Sequence, residues 1–279
     1  MQKQENIKIH ETAFVTSTFR SMNENLSQDF FSKLWGNEKT EIWIKEYLKE
    51  VSSEETFAHC LRNRYFLDKI REVIKTNNIE VVINFGCGLS MYPFLLDEKL
   101  VNIEIDKAEI IEYKKSKVDI WQTTGALPKR NIHFIGVDLS KDYEQKLLAK
   151  INSIKNNRPC FILIEGVLFF LNKEETNKLF DFFNLIQNQG DLIGSASFQE
   201  SLKETLAFKK LIIFFGGNVS KTGESDYQTI QDEYYRKRKE YKLIDHQDYF
   251  SLSKKYEHKI ELEKDLILNE NFYLLEKSS

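Results

Sequence analysis

Apolar positions along this chain change their spacing several times, and the changes divide the sequence into helices and strands. Over the first quarter, apolar residues recur at helical spacing, as within residues 30–35 and 42–51. From residue 80 onward, short β-branched runs alternate with longer amphipathic stretches. The pattern predicts strands near 80–85, 101–105, 132–138, 160–167 and 191–198, with helices near 107–122, 141–155, 173–188 and 199–214.

Strands that alternate with helices in this way are typical of an α/β fold with a doubly wound parallel sheet. Past residue 217 the pattern changes, and the spacing within residues 226–241 predicts a helix. Two later runs, 258–262 and 272–275, alternate in polarity and indicate an antiparallel extension at a sheet edge. The loop-like stretch 216–223 is either a substrate gate or an ordinary surface loop.

The first predicted strand ends in Gly86-Cys87-Gly88. Glycines at such a turn let the backbone approach a nucleotide-like ligand, although a tight turn without a ligand gives the same pattern. The third glycine of the dinucleotide fingerprint is missing, because Met91 stands there. No lysine follows the glycines to bind phosphates. A ligand that contains adenosine without phosphate fits better, and S-adenosylmethionine is the common one.

Carboxylates stand at the ends of the other predicted strands, where ligands of an open α/β sheet bind. Asp106 ends the second strand, 20 positions after Gly86. Asp138, followed by Leu139, ends the third, although it could instead cap the helix predicted near residue 141. Glu165 interrupts an apolar run toward the end of the fourth strand, and a buried carboxylate is costly without a partner. These carboxylates suit a ligand with ribose hydroxyls and amine donors.

The methionine part of such a ligand also carries a carboxylate, which needs a cation. Arg62 and Arg64 lie on the predicted helix before the first strand, so either could reach over Gly86 or lie on the helix surface. Glu104 alternates with Ile103 and Ile105, so it is expected on a sheet face or edge and not in a ligand site.

Composition limits the possible partners. The 279 residues carry a net charge of −3, which argues against a general nucleic-acid surface. The longest apolar stretch, residues 160–171, is short and broken by Glu165, so no membrane span is expected. The three cysteines lack metal-ligand spacing, and their small odd number is typical of reduced thiols in a cytoplasmic protein. No metal site and no secretory signal are predicted.

Taken together, these residues resemble the leucine carboxyl methyltransferase family, and in particular its bacterial branch of S-adenosylmethionine-dependent O-methyltransferases. The resemblance runs from about Glu11 to about Phe183. The segments that carry it are Glu11-Thr12-Ala13 with Arg20 and Asp29, Arg62-Asn63-Arg64, Val82 to Leu89, Ile103 to Asp106 with Lys114, and Ile164 to Leu171. Ser90, Phe170 and Asn172 depart from the family's pattern, and the last third of the chain matches weakly.

The resemblance implies a class I methyltransferase fold, with a Rossmann-like doubly wound sheet, an N-terminal helical lid and an antiparallel C-terminal edge. We expect one domain over residues 1–279, with the lid at 1–78, the cofactor-binding core at 79–200, and the substrate pocket and sheet extension at 201–279. Carried over by position, the family's cofactor-binding residues are Arg62 for the carboxylate, Gly86 with Gly88 for close backbone approach, Asp106 for ribose, Asp138 and Leu139 for adenine, and Glu165 for the amino group or a substrate-facing water.

The implied reaction is S-adenosylmethionine-dependent methylation of an oxygen atom, on a carboxylate or hydroxyl of a small molecule or of a peptide or protein C-terminus. A carboxylate is already ionised, so it needs no general base, whereas a phenol or enol would need one. His133 and His246 are candidate bases, but either could be structural. The aromatic-rich residues 202–249 are expected to line the acceptor pocket. Two alternatives stay open: a nicotinamide-dependent oxidoreductase, and a non-catalytic binding protein that keeps the fold.

Overall fold

Helices form the first part of the chain, as the spacing of apolar residues predicts. A computed structural model describes residues 9–139, 141–218 and 227–278. In chain order its first elements are α1 (Ile9–Met22), α2 (Glu24–Ser27), a 3₁₀ helix (Ser32–Trp35), α3 (Glu38–Glu50) and α4 (Glu55–Thr76). Asn23 and Asn37 cap α2 and α3, because each side chain accepts a hydrogen bond from a backbone N–H of the first turn.

Strands and helices then alternate. The elements are β1 (Val81–Phe85), α5 (Tyr92–Leu95), β2 (Val101–Asp106), α6 (Ala108–Thr123), β3 (Asn131–Gly136), α7 (Glu144–Lys155), β4 (Cys160–Ile164), α8 (Lys173–Ile186) and β5 (Leu192–Phe198). They are followed by α9 (Leu206–Asn218), α10 (Asp232–Arg236), β6 (Tyr241–Asp248), α11 (Tyr249–Lys255) and β7 (Glu270–Lys277).

The strands form one sheet in the order β3-β2-β1-β4-β5-β7-β6. The first five are parallel, and β7 runs antiparallel to both β5 and β6. The predicted doubly wound α/β sheet with an antiparallel C-terminal edge is therefore confirmed. Strand order reverses between β1 and β4, which is where open α/β sheets bind ligands.

Both faces of the central strands are buried, which explains why their sequences are continuously apolar. Every residue of β1 and β4 is buried. Alternate side chains of β1 point to opposite faces: Ile83 and Phe85 belong to a core with α7 and α8, whereas Val82 belongs to a core with α4 and α11. The two cores fix the strand register, because a slip by one residue would exchange the faces.

The last quarter departs from the sequence prediction. Within the described residues 227–241 of the helix predicted at 226–241, only Asp232–Arg236 is helical, and Tyr241–Asp248 forms β6. Residues 258–262 are not a strand, although they alternate, and the partner of β7 is β6. The strand conformation of β6 is not predicted from the sequence, because most of its residues are polar. In addition, the register of its pairing with β7 shifts between Leu243 and Asp245. Within the loop predicted at 216–223, residues 219–223 lie outside the described part of the chain, and residues 216–218 end α9.

Two smaller differences affect the site. α7 begins at Glu144, so Asp138 does not cap it, and the alternative reading of that residue is wrong. The helix predicted at 199–214 is split into a 3₁₀ helix (Glu200–Glu204) and α9.

Helices α1, α3 and α9 pack together through a cluster of apolar and aromatic side chains, which we call the lid cluster. Its members include Val15, Phe19, Ile44, Tyr47, Phe169, Phe208, Leu211 and Phe214. Phe169 follows β4, so the lid cluster contacts a loop at the carboxyl end of the sheet. These helices therefore lie next to the strand ends where the predicted ligand site is located.

Candidate functional site

The glycine turn after β1 packs directly against the segment after β4. Gly86 and Gly88 have φ angles of +66° and +45°, a backbone conformation that residues with a side chain rarely adopt. A Cβ atom on Gly86 would overlap Cγ2 of Val167. The N–H groups of Gly86 and Cys87 donate to the carbonyl of Ile105, at 2.8 and 3.0 Å. The turn is therefore held between β2 and the segment after β4, and a glycine is required at position 86.

The position of the missing third glycine has a packing role of its own. Met91 is fully buried, and its sulfur accepts a hydrogen bond from the Trp35 indole N–H at 3.2 Å. The helix that follows, α5, has only four residues. A dinucleotide site needs the third glycine where a long helix packs closely on the strand. Here the turn is followed instead by Met91, which contacts Trp35 of the N-terminal 3₁₀ helix.

Asp106 joins the end of β2 to the glycine turn. Its Oδ2 accepts the Gly88 N–H at 2.7 Å, and its Oδ1 accepts the Lys107 N–H at 2.7 Å. Burial raises the pKa of this carboxyl, and the two N–H donors oppose the shift. The side chain stays partly exposed. Asp106 can thus order the turn and still present its remaining lone pairs to a ligand.

Asp138 and Leu139 follow β3, on the far side of Asp106 from the glycine turn, and both are partly exposed. Asp138 forms a surface ion pair with Lys141, at 3.1 Å. The predicted ligand residues of this region therefore all lie at the carboxyl ends of the parallel strands β1, β2 and β3: Gly86, Gly88, Asp106, Asp138 and Leu139. The roles predicted for them in ribose and adenine binding stay predictions.

Glu165 is buried one residue after β4 and has the partners that a buried carboxylate requires. Arg20 of α1 donates to Oε1, and the Tyr92 hydroxyl donates to Oε2 at 3.1 Å. Burial alone would raise the pKa of Glu165, but the charges of Arg20 and Arg62 outweigh it and hold the pKa below its usual value. Glu165 is therefore ionised at neutral pH.

Arg62 is also buried, and three groups surround its guanidinium. Nη1 donates to both carboxylate oxygens of Glu270, at 3.0 Å each. Nη2 donates to Nδ1 of His59 at 2.9 Å. Nε lies 3.8 Å from Oε2 of Glu165, which is within ion-pair range but too far for a hydrogen bond. Arg64, the other candidate, is outside this cluster and pairs with Asp68 at 2.8 Å.

The Nε atom of each site arginine has no hydrogen-bond partner among the described residues. Within the described part of the chain, the buried Nε atoms of Arg20 and Arg62 make no hydrogen bond. Buried donors are nearly always paired, so two such atoms beside Glu165 need an explanation. An anionic ligand group at the carboxyl end of β4 would supply it.

A chain of polar groups leads from Arg62 to Tyr47 of the lid cluster. Because Nδ1 of His59 accepts from Arg62, its proton is on Nε2, which lies 3.7 Å from Oε2 of Glu55. The Tyr47 hydroxyl of α3 donates to the same oxygen at 2.9 Å. Burial raises the pKa of Glu55 to about 8, and burial lowers the pKa of His59. At neutral pH the imidazole is therefore neutral and Glu55 is mostly protonated.

The three departures from the family's pattern have structural roles. The Ser90 hydroxyl accepts a hydrogen bond from Asn84 at 2.9 Å, beside the buried ion pair of Glu104 with Lys114. Phe170 packs edge-on against Phe169 in the lid cluster. Asn172 caps α8, because its side chain and that of Glu175 each accept the other's backbone N–H.

The sequence did not identify Tyr92, His59, Glu55 or Glu270, and Arg20 entered only as part of the family resemblance. Neither candidate histidine belongs to the cluster. His133 lies on the edge strand β3, and His246 lies on β6, where it stacks on Tyr273 with ring centroids 4.5 Å apart. No group of metal-ligating side chains occurs in residues 9–139, 141–218 and 227–278. In the same part of the chain, no helix has the length and apolarity needed to cross a membrane.

Comparison with known proteins shows the family of the chain. The sequence profile of the leucine carboxyl methyltransferase family matches residues 20–184. A Mycobacterium ulcerans protein, provisionally named an S-adenosyl-L-methionine-dependent methyltransferase, is 26% identical over 172 residues. The match covers 60% of this chain and 54% of that protein, so the chain spans about half the length of this curated relative. A Mycobacterium tuberculosis protein with the same provisional name is 23% identical over 169 residues, 60% of this chain and 52% of that protein.

Solved structures share the fold. A protein of Thermobifida fusca, provisionally described as a methyltransferase, superposes with a TM-score of 0.67 at 12% identity, covering 96% of this chain and 94% of that one. A DUF574-family protein of Streptomyces avermitilis superposes with a TM-score of 0.61 at 9% identity, covering 95% and 97%. At such low identity, these likenesses concern the fold alone.

The protonated Glu55 predicts a pH dependence of stability. Its pKa rises on folding from an ordinary value of 4.5 to about 8, so its contribution to stability is complete below the lower value and is lost as the pH rises through the higher one. Glu55→Gln removes this titration. Between about pH 5 and about pH 8, the wild type should lose up to about 1 kcal/mol of unfolding free energy per pH unit relative to the variant. Urea unfolding at several pH values measures it.

Glu50→Gln is the matched control, because Glu50 ends α3 with its side chain 59% exposed. Its stability curve should run parallel to that of the wild type. A Glu55→Gln curve that also ran parallel would show that Glu55 is ionised in the folded protein.

Proposed function

Since the chain belongs to the leucine carboxyl methyltransferase family, we propose that it transfers a methyl group from S-adenosylmethionine to an oxygen atom of an acceptor. The acceptor is a carboxylate or hydroxyl of a small molecule or of a peptide or protein C-terminus. The observation that carries the proposal is the pair of buried guanidinium Nε atoms, on Arg20 and Arg62, that have no acceptor among the described residues.

The donor set fits the methionine part of the cofactor. A carboxylate can accept from the two free Nε–H groups in charge-assisted hydrogen bonds. Glu165 is ionised beside them and can accept from an ammonium group. Asp106 has lone pairs left for ribose hydroxyls, and Gly86 and Gly88 leave room for a close backbone approach. This supports Arg62, Gly86, Gly88, Asp106, Asp138, Leu139 and Glu165 as the cofactor-binding set, with Arg20 added.

When bound, the cofactor supplies an activated methyl group on a sulfonium. The residues of this chain bind and orient the reactants, and the lid helices exclude water. Orientation of two reactants contributes up to about 7–11 kcal/mol to a rate. An acceptor carboxylate needs no base, and none of the groups of the cluster is required as one. We propose that residues 201–279, together with the lid cluster, shape the acceptor pocket, because aromatic side chains of α9 lie next to Phe169 after β4.

Asp106→Ala and Arg62→Ala should each weaken the binding of S-adenosylhomocysteine, because each removes a hydrogen-bonding partner of the cofactor. A hydrogen bond to a charged group contributes roughly 1.5–3 kcal/mol, which corresponds to about ten- to a hundredfold in affinity. Titration calorimetry measures it, and the melting temperature of each variant shows that it is folded. Asp119→Ala, on the exposed face of α6, changes the net charge as Asp106→Ala does and should bind like the wild type. Wild-type affinity in both site variants would contradict the assignment.

The acceptor is expected to be an oxygen, with a carboxylate ahead of a phenol, because the imidazole beside Arg62, that of His59, already uses its accepting nitrogen Nδ1 for the guanidinium. Protein supplied with methyl-labelled S-adenosylmethionine and candidate acids or phenols should yield a labelled methyl ester. Mild base releases labelled methanol from an ester and leaves an aryl methyl ether intact. A base-stable label would exclude the carboxylate, and a label on nitrogen or carbon would exclude O-methylation.

A further inference from the structure

We propose that Glu270 is a positioning residue of the cofactor site, which holds the Arg62 guanidinium so that its Nε–H faces the cofactor's carboxylate. Glu270 lies on β7, outside residues 20–184 that match the family profile. The inference rests on the proposed function, and it assigns to the C-terminal strand a part in cofactor binding.

The geometry between the two side chains is specific. Both oxygens of Glu270 accept from Nη1 at 3.0 Å, and the side chains of Arg62 and Glu270 are only 6% and 8% exposed. Glu270 is the first residue of β7 and is paired with Phe198 at the end of β5. A residue at a paired strand end has little freedom, so Glu270 fixes the position of Nη1 relative to the sheet.

The other hydrogen bonds of Arg62 involve Nη1 and Nη2 and leave Nε without a partner among the described residues. Nη2 is bonded to His59, which lies one turn earlier on α4 and is itself next to Glu55. Glu270 and His59 together therefore hold the two ends of the guanidinium fork. The Nε–H, on the remaining edge, has no acceptor in the described residues. This edge lies toward Glu165, where the cofactor's methionine part is proposed to bind.

Charge balance explains why Glu270 is needed. Two arginines, Arg20 and Arg62, share the cluster with two carboxylates, Glu165 and Glu270. Asp29 is a further buried carboxylate near Arg20. Without the charge of Glu270, Arg62 would keep Glu165 as the carboxylate within ion-pair range. Arg62 Nε is already 3.8 Å from Oε2 of Glu165, so a small rotation of the side chain would bring the two atoms within hydrogen-bond distance. After this rotation Arg62 would no longer be available to the cofactor's carboxylate. Glu165 would no longer be available to the cofactor's ammonium group.

The ionisation of Glu270 should therefore control cofactor affinity. Burial raises the pKa of Glu270, and Arg62 opposes the shift. The other groups that face Glu270 are Glu165 after β4, Arg20 on α1, Glu55 on α4 and Tyr47 on α3. As the pH falls, protonation of Glu270 releases Arg62, so affinity for the cofactor should fall at acidic pH.

The test compares the binding of S-adenosylhomocysteine to the wild type and to Glu270→Gln by calorimetry, at several pH values from about 5 to about 8. The variant keeps the shape of the side chain and removes its charge. We expect about tenfold weaker binding at neutral pH, within the range for the loss of a charged hydrogen-bond partner. We also expect a shallower loss of affinity toward acidic pH. Asp106 is present in both proteins, so its titration does not affect the difference between their pH dependences of cofactor affinity.

Asp191→Asn is the matched control. Asp191 is a buried carboxylate that forms an ion pair with Lys155 at 3.5 Å. It precedes β5 and therefore lies at the amino ends of the parallel strands, away from the cofactor site. Its loss should lower stability and leave affinity and its pH dependence unchanged. If Glu270→Gln does not fold, Glu270→Asp is the second variant, because it retains the charge on a shorter side chain. It should bind S-adenosylhomocysteine more weakly than the wild type and still lose affinity toward acidic pH.

The outcomes separate the two proposals. Wild-type affinity in the folded Glu270 variant would overturn the positioning role while leaving the methyltransferase assignment intact. An equal loss of affinity in Asp191→Asn would also overturn it, because the effect would then be one of general stability. A wild-type protein that does not bind S-adenosylhomocysteine would overturn the proposed function itself.

Discussion

Four buried charges at the carboxyl end of β4 constrain the rest of this structure. Removing a charged side chain from water costs several kcal/mol, and the cost is offset only by close partners of opposite charge. Arg20, Glu165, Arg62 and Glu270 supply such partners to one another, and they come from α1, the end of β4, α4 and β7. Their pairing therefore requires the N-terminal helices, the parallel core and the C-terminal strand to be assembled at one point. That point is next to the reversal of strand order, where an open α/β sheet binds its ligand.

The glycine turn supplies the other half of the site. The turn after β1 lies against Val167 and is fixed by Asp106 through the Gly88 N–H. The same carboxylate is thus both part of the scaffold and a candidate ligand group. The polar chain from Arg62 through His59 and Glu55 to Tyr47 continues the site into the lid. The proposed cofactor-binding residue Arg62 and the lid cluster are thereby connected through side chains whose pKa values burial shifts.

The sequence predicts the parallel core well because its central strands are buried on both faces, so that runs such as Val81–Phe85 and Cys160–Ile164 are almost entirely apolar. It fails for β6, whose polar sequence becomes a strand only through pairing with β7. In the site, Glu165 is recognisable because a lone carboxylate in an apolar run requires a partner. The partner cannot be read from the sequence: Arg20 is 145 positions away, and Glu270 meets Arg62 across 208 positions. Such contacts depend on strand order and register, which no local pattern encodes.

The central claim is that the cluster at the end of β4 binds the methionine part of S-adenosylmethionine rather than a dinucleotide. Calorimetric titration of the unmodified protein with S-adenosylhomocysteine and, separately, with NAD tests it most directly. The account predicts a dissociation constant in the micromolar range for S-adenosylhomocysteine and no measurable heat of binding for NAD. Tight binding of NAD together with no binding of S-adenosylhomocysteine would contradict it.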